Sequence, residues 1–363
     1  MKKKGDKRII KTIKARPKNI IKVMSKNYDP VETVSPGESI IVETAGPKIH
    51  IPTEYETNTA DLPVHKTHLR ALKRRLLITG PICIDGCEAG DIVKIEIADI
   101  QIMDDGLIWT GNWLGILKDD IPYGLKDEVS KILQDDTSSD LPHAIKEKIH
   151  YTEEAKKALH PFIGTIGVAP KGDDINCLTP TLHGGNMDVP FLTKGSKLYL
   201  VAQVKGGMLA LGDVHAAMSE GETLGTGVEI GSMVTLKIDV IKKKPYFNNP
   251  LIETDEYFII VDSYENPQVV KDRWKKIKGK KQETKEYNQI IESLLAGYES
   301  ERLLDKLSIA LIKLLNKKKG MSTYKAVTEF HLHGGIRTVQ SVNPNCTCIS
   351  LIPKKILTST QIY

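Results

Sequence analysis

Apolar residues recur at every second position along several stretches of this chain, and that period commits it to sheet. Val93, Ile95 and Ile97 alternate with Lys94, Glu96 and Ala98, and Val234, Leu236, Ile238 and Val240 share one face of residues 233–241. SKLYLVAQV (196–204) and EYFIIVDS (256–263) read as further strands. VSPGESIIVET (34–44) reads as a turn at Pro36-Gly37 followed by a strand, and TGPICIDGCEAGDIVKIEIADI (79–100) as two strands around a glycine-rich turn. Strand material returns at 336–352.

Helical patterns are fewer. THLRALKRRLLI (67–78) is one candidate, and residues 118–158 are polar and helical in flavour. Ile290, Ile291, Leu294, Leu295 and Tyr298, then Leu303, Leu304, Leu307, Leu311, Leu314 and Leu315, recur at helical spacing. Lys317–Lys319 and Gly320 suit the end of that helix, and Ser322 the start of a short one. Strands predominate and no strand–helix alternation appears. The expectation is therefore a β-rich α+β fold of barrels or sandwiches, not a doubly wound parallel sheet.

The net charge of +5 conceals an asymmetry. Residues 1–26 hold eleven Lys/Arg and one acid, which leaves 40 bases against 45 acids in the rest of the 363 residues. The body is mildly acidic, which argues against a nucleic-acid-binding surface there. The sequence thus divides into a basic mobile arm, 1–26, and a body, 27–363, with an excursion at about 118–158 and a helical insertion at about 271–330. Five cysteines, an odd number, and no leader-like apolar run point to free thiols in a reducing compartment, hence a cytoplasmic protein. No 18-residue apolar window suggests a membrane span.

Chemistry concentrates in residues 179–230. His183, Asn186, Asp188, Asp213, His215, Glu220, Glu222 and Glu229 fall within 47 residues, between glycines and apolar strand residues. Asp213 and His215, two apart, project from one face of a strand. Imidazole with carboxylates can hold Zn²⁺ or a similar divalent cation with a position left open. A neighbouring Glu could shuttle a proton during amide hydrolysis. Turn chemistry explains Gly-Asp pairs equally well. Neither nucleophile-elbow nor P-loop patterns occur. Cys83-x3-Cys87 and Cys346-x-Cys348 read as structural thiols.

HGGNMD (183–188), GDVHAAMSEGE (212–222) and GVEI (227–230) together resemble the acetamidase/formamidase family. TGPICIDGCEAGD (79–91), WTGNWLGIL (109–117), HPFIGTIGVAP (160–170) and GGIRTVQSVNP (334–344) extend the likeness over about 34–353. The resemblance implies a cytoplasmic, homo-oligomeric hydrolase of short aliphatic amides, releasing ammonia and a carboxylic acid. It implies a jelly-roll or β-barrel-like fold with a smaller α/β part. Carried over by position, Asp188 and His215 are the metal ligands, with His183 beside them, and the metal is a divalent cation such as zinc. Glu220, Glu222 and Asp213 are candidates for proton transfer or ligand support. Asn186 and the Gly184-Gly185 backbone could bind the amide oxygen, and Glu88 could face the same cleft.

The chain departs from the family pattern in places. RRLLI occupies 74–78 where the family carries a His, and Gly334-Gly335-Ile336-Arg337 lacks the family's acid. These losses motivate an alternative reading, a repurposed member that binds a metal or small polar ligand without catalysis. A third reading assigns function to the basic arm and residues 271–281, docked on RNA or a membrane.

Overall fold

The computed structural model describes residues 10–46, 76–111, 144–150, 152–218, 222, 226–245, 248–263, 315, 320–323, 325–326, 335–340 and 346–354. The strands are β1 (Lys11–Ile13), β2 (Ile20–Ile21), β3 (Val23–Met24), β4 (Glu32–Val34), β5 (Ser39–Thr44) and β6 (Ile78–Ile84). They continue with β7 (Ile92–Gly111), β8 (Ala144–His150), β9 (Phe162–Gly167), β10 (Ile175–Asn176), β11 (Gly184–Asn186) and β12 (Lys197–Val201). β13 (Leu209–His215), β14 (Glu229–Ile241), β15 (Leu251–Glu253), β16 (Tyr257–Ser263), β17 (Gly335–Gln340) and β18 (Cys346–Pro353) complete the set. Among the described residues a short helix, α1 (Glu153–Ala158), is capped by the Thr152 hydroxyl, which accepts from the Ala155 N–H.

Among the described residues sixteen strands share one sheet, whose main path runs β11-β9-β13-β14-β7-β12-β15-β16-β18-β17. β5, β6 and β8 branch from β14, β13 and β7, and β10 pairs with β3 in a separate ribbon. Among the described residues the path has two ends and does not close into a barrel. The β14–β7 pair is the spine. Ile238 faces Ile95, Leu236 faces Ile97 and Val240 faces Val93, so the apolar sets of the two alternations meet across the strands. Ile95, Ile97, Leu236 and Ile238 are fully buried, while Lys94 and Glu96 on the other face are half-buried. β9 differs. All six of its residues are buried, and β13 is buried at six of seven positions. Side chains between these central strands therefore lie in a medium of low dielectric, where unpaired charge is costly.

From residue 10 onward the expected basic arm is not a free arm. β1 pairs in parallel with β5, β2 pairs with β6, and β3 pairs with β10. Ile13, Ile21, Val23 and Met24 are buried between the lysines, which remain at the surface. The charge count of the segment hid a second pattern, one apolar residue in contact with the core at each pairing. Deleting residues 1–26 is accordingly expected to lower thermal stability and solubility sharply. Met24→Ala alone should cost about 2–5 kcal/mol in urea unfolding. A truncated chain with an unchanged melting temperature would overturn this placement.

The excursion expected at 118–158 is partly sheet. β8 pairs with the far half of β7 from Asp105↔His150 to Gly111↔Ala144, before α1 begins. Of the helix candidate at 67–78, residues 67–75 lie outside the described residues, and the end is not helical, Ile78 opening β6 instead. Of the helical pattern at 290–315 only Leu315 is described; it is helical and fully buried. Gly320 takes φ +60°, and the Ser322 hydroxyl accepts from the Lys325 N–H at 3.3 Å, as a cap would.

One buried charge cluster serves the fold. Glu253 on β15 is 3% exposed and accepts from the Tyr199 hydroxyl (2.6 Å), Lys354 (2.8 Å) and Lys197 (3.3 Å). Burial works to raise its carboxyl, but the Lys354 and Tyr199 hydrogen bonds outweigh it and hold the pKa below the ordinary 4.5. A depressed folded value means stability that is present above the unfolded carboxylate range and lost as pH falls through the folded value. Glu253→Gln should therefore lower stability by about 1–3 kcal/mol at neutral pH and flatten the acid limb below pH ~4.5. Urea midpoints of both proteins across that range would show it.

Candidate metal centre

β13 and the start of β14 deliver two acids and a base to one place. Asp213 and His215 lie near its end, and Glu229 at the start of β14 pairs with His215 across the strands. Asp188 follows β11, and Glu222 lies between β13 and β14. His215 Nε2 is 3.3 Å from Glu229 Oε1 and 3.7 Å from both Asp213 Oδ1 and Glu222 Oε1. Asp188, His215 and Glu222 form one set whose ligand atoms all lie within 4.8 Å of one another; Asp213, His215 and Glu229 form a second.

The backbone is shaped around these carboxylates. Asp188 (φ 51°) and Asp213 (φ 57°) both adopt the left-handed conformation, which costs an ordinary residue about 1–3 kcal/mol. Gly164 on β9 makes this possible. A Cβ there would fall 2.7 Å from the Asp213 carbonyl oxygen and 2.8 Å from Asp188 Oδ1 and Asp213 Oδ2. The Gly164 carbonyl also accepts from the N–H groups of Met187 and Asp188, which fixes the turn after β11. Gly227 fits against the His215 ring, where a Cβ would approach Cγ and Nδ1 to 2.8 Å. Phe162 packs edge-on to that ring at 5.1 Å. The Gly227 N–H donates to Glu222 Oε1 at 2.9 Å.

Hydrogen bonding leaves this cluster unfinished. Both oxygens of Asp188 and both ring nitrogens of His215 are buried without a hydrogen-bond partner. Buried polar atoms are normally partnered, so four orphaned atoms in one cluster point to a ligand. Charge tells the same story. Burial pushes the Asp188 carboxyl well above its ordinary value, and Asp213 pushes it further than His215 pulls it back. Glu222 is raised by burial and by Asp188, and Glu229 is pushed up to about 7 chiefly by burial. Burial also opposes the Asp213 carboxylate, but His215 and the Thr165 hydroxyl more than offset it and keep Asp213 low. Burial opposes the His215 imidazolium too, yet Glu229 and Asp213 hold its pKa well above 6.5. Four carboxylates around one imidazole repel each other unless further positive charge enters, and a divalent cation with oxygen and nitrogen ligands fits that need.

Of the residues singled out in the sequence, Asp188, Asp213, His215 and Glu222 thus come together. Asn186 lies one step away, joined through Thr165 to Asp213. His183 stands apart from both sets. Its Nδ1 hydrogen-bonds the Thr181 hydroxyl, and burial with no acid beside it lowers its pKa to about 4, so it is a neutral imidazole. The Gly184 N–H is committed to the Thr181 carbonyl at 3.0 Å. Glu88 lies exposed in the β6–β7 turn, 3.9 Å from Lys205, beyond the opposite end of β13 from His215. Glu220 lies outside the described residues. Glu229 was visible among the polar residues but carried no assigned role; its pairing with His215 is set by strand register, which spacing does not reveal. Thr165 and Gly164 gave no sequence signal as site residues.

Fold and site together place the molecule. The chain belongs to the acetamidase/formamidase family, whose model matches residues 13–176 and 173–358. It is 28% identical over 239 residues to a formamidase of Methylophilus methylotrophus, covering 48% of this chain and 55% of that protein. It is 25% identical over 217 residues to an acetamidase of Mycolicibacterium smegmatis, covering 46% and 53%. The chain thus spans about half the length of the curated relatives it matches. Solved structures agree over nearly the whole chain. A predicted acetamidase/formamidase from Thermoanaerobacter tengcongensis superposes with a TM-score of 0.67 at 26% identity, covering 98% of this chain and 99% of that one. An acetamidase from Bacillus halodurans gives 0.65 at 25% identity, covering 95% and 97%. Among the described residues no helix is long and apolar enough to cross a membrane.

Proposed function

We propose that this chain hydrolyses short aliphatic amides to a carboxylic acid and ammonia, at a divalent cation held by Asp188, His215 and Glu222. The observation that carries this reading is the convergence of carboxylates on His215, with both Asp188 oxygens and both His215 ring nitrogens buried without partners, in a chain of an amidase family. Zinc suits a mixed histidine and carboxylate set, and iron(II) or manganese(II) could take the same ligands. Such a cation supplies Lewis-acid polarisation of the amide carbonyl and makes water a stronger acid.

The remaining work belongs to the protein. Asp213 and Glu229 both reach His215 Nε2, at 3.7 and 3.3 Å, and Glu229 is the most accessible of the four acids, its side chain 17% exposed. A carboxylate so placed can accept a proton from the attacking water and return it to the departing nitrogen. Phe162 and Gly227 fix the His215 ring, and the Gly227 N–H steadies Glu222. Water and the amide go in; the carboxylic acid and ammonia leave, with atoms and charge balanced. From the resemblance we also carry over a cytoplasmic homo-oligomer, which light scattering of the purified protein and cell fractionation would test.

Ammonia release from formamide, acetamide and propionamide, before and after chelation, tests the reaction. Turnover lost with the cation and restored by its return is the expected result. Cation binding with no ammonia from any short amide would favour a ligand-binding role instead.

A further inference from the structure

Thr165 stands between two groups that compete for its single proton. Its Oγ1 is 2.6 Å from the Asn186 side-chain amide and 3.1 Å from Asp213 Oδ2, and Thr165 is fully buried. A hydroxyl donates once, and a carboxylate only accepts. With the Asn186 oxygen turned toward Thr165, one of these contacts must set lone pair against lone pair inside the protein. The two ends of an asparagine amide are assigned from their partners, so with Asp213 an ionised carboxylate the conflict has one resolution. Thr165 donates to Asp213, and Asn186 turns its nitrogen inward to donate to Thr165. Both contacts are then hydrogen bonds. The outer end of the Asn186 amide becomes the carbonyl oxygen, and Asn186 retains 4% exposure.

We propose that Thr165 is a positioning residue that makes Asn186 an acceptor, so that its Oδ1 takes a hydrogen bond from the N–H₂ of the substrate amide. This rests on the amide-hydrolase reading above and reverses the donor role suggested by the sequence for Asn186. The order Asn186–Thr165–Asp213 is directional: nitrogen donates to hydroxyl, and hydroxyl to carboxylate. Rotating any member breaks a buried hydrogen bond. The substrate class follows from that direction. An amide bearing at least one N–H satisfies Oδ1, and an N,N-dialkyl amide leaves it unpaired.

A site built around a hydrogen bond rejects analogues that lack it strongly, so kcat/KM for acetamide should exceed that for N,N-dimethylacetamide by at least about 10²-fold. Size contributes to that ratio, and variants separate the two causes. Thr165→Val removes the proton given to Asp213 and frees the Asn186 amide to turn. The ratio should then fall by about tenfold or more with cation content unchanged, and Thr165→Ser should restore it. Neutron diffraction from deuterated crystals of the full chain reads the amide directly, without turnover. Deuterium on the Asn186 atom facing Thr165 is the expected result. Amide oxygen on that side, or an unchanged ratio in a folded Thr165→Val protein, would overturn the proposal. Absence of turnover on every amide in the wild type would defeat the hydrolase reading instead, and with it the substrate role of Oδ1, while the neutron result would still decide the orientation of the amide.

Discussion

Replacing His215 with alanine is expected to abolish cation binding and ammonia release together. His215 is the only base, among the described residues, inside a ring of four acids, and it belongs to both sets of potential ligands. Its loss removes a nitrogen ligand from the cation-bound site and, without the cation, the one positive neighbour that Asp213 and Glu229 face. We expect turnover to fall by at least about 10³-fold, or about 4 kcal/mol of transition-state stabilisation. The ring is fully buried against Phe162, so alanine also opens a cavity. His215→Gln fills most of that volume and provides the control. If activity per folded molecule survives in either variant, the imidazole serves packing and not chemistry. Circular dichroism, cation content and ammonia release on the same preparations separate the two outcomes.

Glu222 and Glu229 should fail differently. Glu222 belongs to the set with Asp188, and its Oε1 is already anchored by the Gly227 N–H. Glu222→Gln keeps the volume and that hydrogen bond but weakens the ligand, so cation content should fall with activity. Glu229 faces His215 from the neighbouring strand and is more accessible. If it moves the proton, Glu229→Gln should retain the cation yet lose about 10²–10⁴-fold in turnover. Elemental analysis paired with single-turnover rates distinguishes a lost ligand from a lost proton carrier. The reverse pattern would exchange the two roles, and two near-wild-type enzymes would remove both residues from the mechanism.

The sheet was legible where one of its faces is buried. In β7 from Val93 to Ile97 and in β14 from Val234 to Ile238 the two-residue alternation is plain because the second face is only partly buried. It was less legible at β9, where every residue is buried and no alternation remains. β1, β2 and β3 were missed because their few apolar residues sit among lysines that do not contact the core. At the candidate site, composition and family likeness singled out Asp188, Asp213, His215 and Glu222, which the fold brings together, but not what each would do. Asp188 and His215 are 27 positions apart and meet only because β11, β9 and β13 are neighbours in the sheet. Their partner Glu229 is set by the β13–β14 register, and the room they occupy by a glycine at 164. His183 shares a motif with Asp188, yet the turn at 181–184 directs its ring to Thr181. Sequence adjacency carried no information about that direction.

The central claim is that a divalent cation binds at His215 and that amide hydrolysis depends on it. Calorimetric titration of Zn²⁺ into chelator-stripped wild-type protein, with His215→Ala titrated alongside, tests it most directly. The expected result is one tight site per wild-type chain, recovery of ammonia release in proportion to its occupancy, and no such site in the variant. Full ammonia release from the stripped protein, or the same tight site in His215→Ala, would contradict it.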